Sequence, residues 1–190
     1  MGLPGRVLTG AHRSFLSEAR RAVLVTAGSA GELRPVPICF AVAPPPADAL
    51  WTPLDEKPKR SADPRSLARV RDILARPTVG ILVDRWDEDW SRLAWLRLEG
   101  QATLLEPGEG AAGMGNAGPG DPGEGRGLGA HAPAGALGAP DVNQAAVAEH
   151  AEAVAALRAR YPQYDRQALE RRPIIRVTLT RAVDWGSLET

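Results

Sequence analysis

Six short apolar segments, joined for the most part by connections too short to hold a crossover helix, constrain this chain more than any other feature. They are AVLVTA (Ala22–Ala27), RPVPICFAV (Arg34–Val42), ALWTPL (Ala49–Leu54), VGILVD (Val79–Asp84), Leu93–Leu105 and IIRVTLT (Ile174–Thr180). Parallel neighbours need a connection of a dozen or more residues, usually helical, whereas antiparallel ones need only a turn. The spacing therefore predicts a mainly β domain, a six-stranded antiparallel barrel with peripheral helices. GSAGE supplies the first turn, and the triple proline Pro44–Pro46 ends the second strand because proline donates no ladder hydrogen bond. Pro35 and Pro37 place that strand at a sheet edge or barrel opening for the same reason. Gly100, inside the longest segment, marks a bulge or bend.

Three helices accompany the strands. The first is expected over Ala11–Arg21, with Phe15 and Leu16 inward. Asp63 followed by Pro64 reads as a capped start, with Leu67, Val70, Ile73 and Leu74 at helical spacing and Pro77 closing the element. An Ala-rich helix over Val142–Arg160 carries Val147, Val154, Leu157 and Tyr161 on one side.

The stretch from Glu106 to Asp141 stands apart. It holds 12 of the 20 glycines, and Leu128 and Leu137 are its large aliphatics, too little apolar surface to offset its ordering entropy. A single domain over 1–190 with a disordered insertion at 106–141 is the expected organisation. GEGRGLG within it lacks the preceding strand and following helix that a phosphate-cradling glycine motif needs, so low complexity explains it.

Composition excludes several function classes. The 23 basic and 23 acidic side chains cancel, against a general nucleic-acid binder, which would carry a basic excess. A single cysteine, Cys39, excludes a disulfide framework and a Cys-based zinc site. His12, His131 and His150 have no partners at ligand spacing. Without an apolar run of ~18 residues or a signal-peptide core, the expectation is a soluble cytoplasmic protein without membrane contact.

The densest cationic stretch is DEKPKR, Asp55–Arg60, followed by Arg65, Arg69 and Arg71. Lys57 and Lys59 are the only lysines among 23 basic residues. Lysine and arginine both suit phosphate or carboxylate anions; the alternative is a solvated charge run partnered by Asp55 and Glu56. Cys39 reads as a small buried hydrophobe rather than a nucleophile, since no histidine accompanies it. Asp84, Asp87, Glu88 and Asp89 cluster in one connection but fail the calcium-loop spacing. Trp86 and Trp90 beside them line a pocket or an oligomer interface, or pack in the core. No nucleophile elbow, GK[ST] or HExxH motif is present, so an enzyme of this kind would rely on an organic cofactor.

PVPICFA, DEKPKR, LVDRWDEDWSRLAWLRLEG and RYPQY together resemble the pyridoxamine 5′-phosphate oxidase-like split β-barrel family, in the branch regarded as coenzyme F420-dependent oxidoreductases. The resemblance covers residues 15–105 and 150–186. DEDWSRL with its following Trp, and RYPQY, are its specific parts. It implies an FMN-binding type of split barrel, a homodimer with the cofactor in a groove between subunits, and hydride transfer between the deazaflavin and a small organic substrate. The ring would lie against Val36, Pro37, Ile38 and Cys39. The anionic arm would meet Lys57, Lys59 and Arg60, with Arg65 or Arg69, while Trp90 and Arg92 would come from the partner subunit. Three departures are the long insertion, PPPAD where a tight hairpin is usual, and Ala94 in place of an aromatic. The same fold using FMN, or binding a flavin or deazaflavin without catalysis, are the alternatives.

Overall fold

The computed structural model describes residues 6–55, 63–108 and 142–188. Its seven strands form one antiparallel sheet: β1 (Ala22–Ala27), β2 (Leu33–Ile38), β3 (Ala41–Val42), β4 (Ala49–Pro53), β5 (Thr78–Arg85), β6 (Ala94–Leu105) and β7 (Ile174–Gly186). The spatial order is β2-β1-β5-β6-β7-β4-β3. The two edge strands, β2 and β3, are thus consecutive in the chain and separated only by Cys39 and Phe40. At about 3.3–3.6 Å per residue, two linking residues cannot bridge an open sheet. The sheet therefore curls until its edges almost meet, and the barrel is closed by the covalent chain rather than by a hydrogen-bonded ladder.

This corrects the expected six strands. Arg34–Val42 is one apolar run, but it divides at Cys39–Phe40 as the chain leaves one edge and joins the other. Tyr161 occupies the break. Its hydroxyl accepts from the Phe40 N–H at 3.2 Å, and the carbonyls of Phe40 (3.0 Å) and Arg20 (3.1 Å) lie within reach of its proton. The two backbone groups that lose their ladder are thereby satisfied by a side chain.

β2 is an edge strand, as Pro35 and Pro37 require, pairing with β1 alone. The β6–β7 register shifts between Glu99 and Gly100, where glycine is needed: a Cβ there would sit 2.4 Å from the Thr178 carbonyl oxygen. β7 runs to Gly186, past the expected end at Thr180, because β6 offers a partner for its whole length.

The first two helices are shorter at one end than the sequence predicts, and the third spans its expected range. α1 spans Gly10–Glu18, with Thr9 and His12 forming a reciprocal cap and Phe15 and Leu16 buried. Asp63 caps a single 3-10 turn, Pro64–Ser66, and α2 begins separately at Ala68 and ends at Ala75. Of the apolar residues at helical spacing, Val70 and Ile73 are buried, whereas Leu74 points outward, 66% exposed. α3 spans Val142–Arg160. Glu149 anchors it to the sheet, accepting from the Trp51 indole at 3.0 Å and pairing with Arg176 at 2.6 Å.

Two cores result. Leu24, Ile81, Leu96, Leu98 and Val177 fill the barrel interior. A second cluster, with Trp51, Val154, Leu157, Tyr161, Tyr164 and Leu169, lies beneath α3. Among the described residues no helix is long and apolar enough to cross a membrane.

Candidate functional site

The covalent crossing at Cys39–Phe40 leaves a gap. β3 pairs with β4 only through Ala41–Trp51 and Val42–Leu50, so Thr52 and Pro53 extend past their neighbour on that side. Opposite them runs the free edge of β2. The resulting hollow, about 260 Å³, is lined by Val36, Pro37, Ile38 and Cys39 of the β2 edge, Thr52, Pro53 and Asp55 after β4, Arg69 of α2 and Tyr164.

The predicted ring-binding residues Val36, Pro37, Ile38 and Cys39 and the predicted anion-binding Arg69 therefore share one hollow. Lys57, Lys59 and Arg60 lie outside the described residues; the chain enters their segment from Asp55, itself a lining residue. Arg65 is exposed and bridges Glu106 at 2.5 Å, away from the hollow's lining. Trp90 and Arg92 occupy a 3-10 turn between β5 and β6, where Trp90 is 74% exposed and Arg92 pairs with Asp87 at 3.3 Å. Neither lines the hollow of its own chain. Trp86, 71% exposed, is likewise no part of the core, so core packing is excluded for both tryptophans.

Electrostatics within the hollow are nearly balanced. Burial lowers the pKa of the Arg69 guanidinium, and the nearby Asp55 carboxylate works against that shift. Asp55 is buried, as is Tyr164. Burial, reinforced by a hydrogen bond with Cys39 and by the Asp55 charge, raises the Tyr164 hydroxyl well above its ordinary range. It stays a protonated donor across the physiological range. Cys39 is half-buried rather than enclosed, and it faces this hollow as well as a neighbouring one.

Sequence reasoning missed Tyr164, Asp55 and Thr52. Tyr164 belonged to RYPQY, whose value as a motif was visible while its target was not, because the strand it packs on lies over a hundred residues earlier. Among the described residues no group of three or more His, Cys, Asp or Glu is placed to hold a metal ion. His12 bonds Asp184 at 3.0 Å and the Thr9 N–H at 3.2 Å, and His150 bonds the Arg172 carbonyl at 2.8 Å. Neither lines the hollow.

No family model matches the chain. No curated protein matches it. Solved structures do match, 71 chains in all. The conserved hypothetical protein Rv2991 from Mycobacterium tuberculosis is 15% identical, with a TM-score of 0.57 over 98% of this chain and 90% of that one. A putative 5-nitroimidazole antibiotic resistance protein from Bacteroides thetaiotaomicron is 10% identical, TM-score 0.52, over 90% and 79%. HutZ, the heme storage protein from Vibrio cholerae, is 9% identical, TM-score 0.51, over 90% and 89%. Likeness at such identities carries the fold alone, and that fold is the split β-barrel with peripheral helices.

Proposed function

We propose that this chain is a coenzyme F420-dependent oxidoreductase that exchanges a hydride between the deazaflavin and a small organic substrate. The observation that carries the reading is the shared hollow. The β2 edge expected to meet the ring and the Arg69 expected to meet the anionic arm line one space, beside the entrance to the Lys57–Arg60 segment. When bound, the deazaflavin supplies a hydride donor or acceptor. The protein holds the ring against Val36, Pro37, Ile38 and Cys39, the apolar side of a lining that also carries Thr52, Asp55, Arg69 and Tyr164. Asp55 offsets part of the Arg69 charge inside the hollow, so in this reading Lys57, Lys59 and Arg60 share recognition of the anionic arm with Arg69.

A volume of about 260 Å³ is below the roughly 300–1,000 Å³ of complete small-ligand pockets. A second copy of the chain completes the site in this reading, and the outer sheet face offers the surface for it. Cross-strand pairing aligns Val23 with Leu82, and Trp95 with Trp185, on that face. Leu82 and Trp185 are exposed, as are Trp86 and Trp90 at the same end. Trp90 and Arg92 then belong to the neighbour's groove.

FMN in the same place is the second reading, since nothing in the lining distinguishes the two ring systems; binding without turnover is the third. HutZ is a heme storage protein. For this chain a histidine-ligated heme is disfavoured, because neither described histidine lines the hollow.

Titration of purified protein with F420, FMN and heme, in wild type and in Lys57→Ala/Lys59→Ala, tests the proposal. The expected result is F420 binding that weakens at least about tenfold in the double variant, the equivalent of losing one charge-assisted contact. Equal F420 affinity in the variant overturns the anion assignment. FMN binding without F420 binding overturns the choice of cofactor, and a tight F420 complex that reduces no member of a substrate panel overturns catalysis.

A further inference from the structure

We propose that a second hollow, lined by Arg20, Cys39, Tyr161, Gln163, Tyr164 and Gln167, binds the carboxylate of a planar organic molecule. Its volume is about 370 Å³, enough for a bicyclic aromatic acid within the range of small-ligand pockets. It adjoins the cofactor hollow, and Cys39 and Tyr164 line both.

Three features point to this ligand class. The lining holds one cation and no acid, whereas in the neighbouring hollow Arg69 faces Asp55. Arg20 is exposed, stacks 4.7 Å over the Tyr161 ring and donates one N–H to the Arg160 carbonyl at 2.6 Å. A guanidinium has five N–H donors, so its outer edge retains the fork that matches a carboxylate. Among the described residues no carboxylate pairs with it. Tyr161 and Tyr164, edge to face at 5.7 Å, supply aromatic walls, and Gln163 and Gln167 supply amides at the rim.

The hollow's place as the substrate's seat rests on the proposed oxidoreductase function, because it puts the bound molecule beside the cofactor ring across Cys39. Its affinity for a carboxylate does not rest on that reading. Arg20, with the Gln163 amide at the rim, then sets substrate charge and orientation, while Tyr164 and Cys39 form the wall shared by the two hollows.

Cys39 is the chain's single cysteine and lines both hollows, so its alkylation reports occupancy of either. Iodoacetamide labelling, followed by intact mass, would be run with 2-naphthoate, with uncharged 2-naphthamide, and separately with FMN and F420. Fluorescence anisotropy of 2-naphthoate gives an affinity that does not depend on the thiol. We expect 2-naphthoate to bind and to slow labelling, 2-naphthamide to bind about tenfold more weakly, Arg20→Gln to lose about tenfold in naphthoate affinity, and Arg20→Lys to recover part of it. Protection by F420 or FMN should be equal in wild type and Arg20→Gln. Equal affinity for acid and amide, or equal naphthoate affinity in Arg20→Gln and wild type, overturns the proposal. Naphthoate protection without cofactor protection leaves the carboxylate site standing and removes the oxidoreductase reading; the converse removes this site alone.

Discussion

Replacing Tyr161 by Phe isolates the device that closes the barrel. The ring stays, so no cavity opens in the cluster beneath α3, and only the hydroxyl is lost. That hydroxyl accepts from the Phe40 N–H at 3.2 Å and from the Arg160 Nε at 3.2 Å. Phe40 is 1% exposed, so water cannot replace the lost acceptor. An unsatisfied buried N–H costs about 1–3 kcal/mol, and the partly buried Arg160 contact adds a smaller amount. The expected loss is about 2–3 kcal/mol in urea unfolding with an unchanged slope, or a fall in Tm of about 4–12 °C for a chain of this length.

Tyr164→Phe is the matched control. Both tyrosines are buried in the same cluster, but Tyr164 gives up only its bond with the Cys39 thiol, a weak partner worth about 0.5–1 kcal/mol. A Tyr161→Phe protein within about 0.5 kcal/mol of wild type, or no less stable than Tyr164→Phe, would refute the argument that side-chain bonding replaces the ladder at the crossing.

Tyr164→Phe carries a further prediction at alkaline pH. The folded-state pKa of Tyr164 is raised above its ordinary 10.0, so its proton leaves the unfolded chain first. Stability is indifferent to this group below about pH 10 and falls as pH rises past it, and the variant should lack that part of the fall. Urea midpoints of both proteins at pH 8 and at pH 10.5–11 check this; parallel alkaline losses would contradict it. Leu82→Glu replaces an exposed apolar side chain of the outer face, between Val23 and Arg97, with a carboxylate. Sedimentation at micromolar concentration should show a wild-type dimer and a variant shifted to monomer, with a monomeric wild type counting against the shared groove.

The strand set was legible because each segment carries its own signal. The turn at Gly28–Gly31, the bulge at Gly100 and the edge position of β2 all follow from a local residue whose backbone demands are unusual. Gly31, for example, has φ of 87°. The division at Cys39–Phe40 was not legible. Both residues are apolar and flanked by apolar neighbours, and what separates β2 from β3 is their place at opposite edges of a curled sheet. The site was legible in part for the same reason. Val36–Cys39 and Arg69 are visible in the sequence as an edge and a cation, whereas Tyr164 and Asp55 acquire meaning only when the strands around them are placed. Leu74 stands at helical spacing with Val70 and Ile73 yet is exposed in the last turn of α2, because spacing alone does not say how much of a short helix the sheet covers.

Proline connects the local reading to the location of the site. Pro44–Pro46 halt β3 just beyond Val42, and the crossing at Phe40 cuts it at the other end, so it pairs with β4 over only two residues. Thr52 and Pro53 are left without a neighbour on that side, while Pro35 and Pro37 keep β2 from recruiting another strand along its free edge. A longer β3 would need the chain to stay on the β4 side past Phe40, filling the space that Val36–Cys39 now face. The hollow is thus what remains when a barrel is closed by two residues of covalent chain instead of a final ladder. Tyr161 satisfies the backbone at that point, and its neighbour Tyr164 lines the space the missing ladder leaves. Stability at the closure and access at the site consequently depend on the same short motif, RYPQY. A substitution there that loosens the closure should be felt in ligand affinity before it is felt in the barrel core.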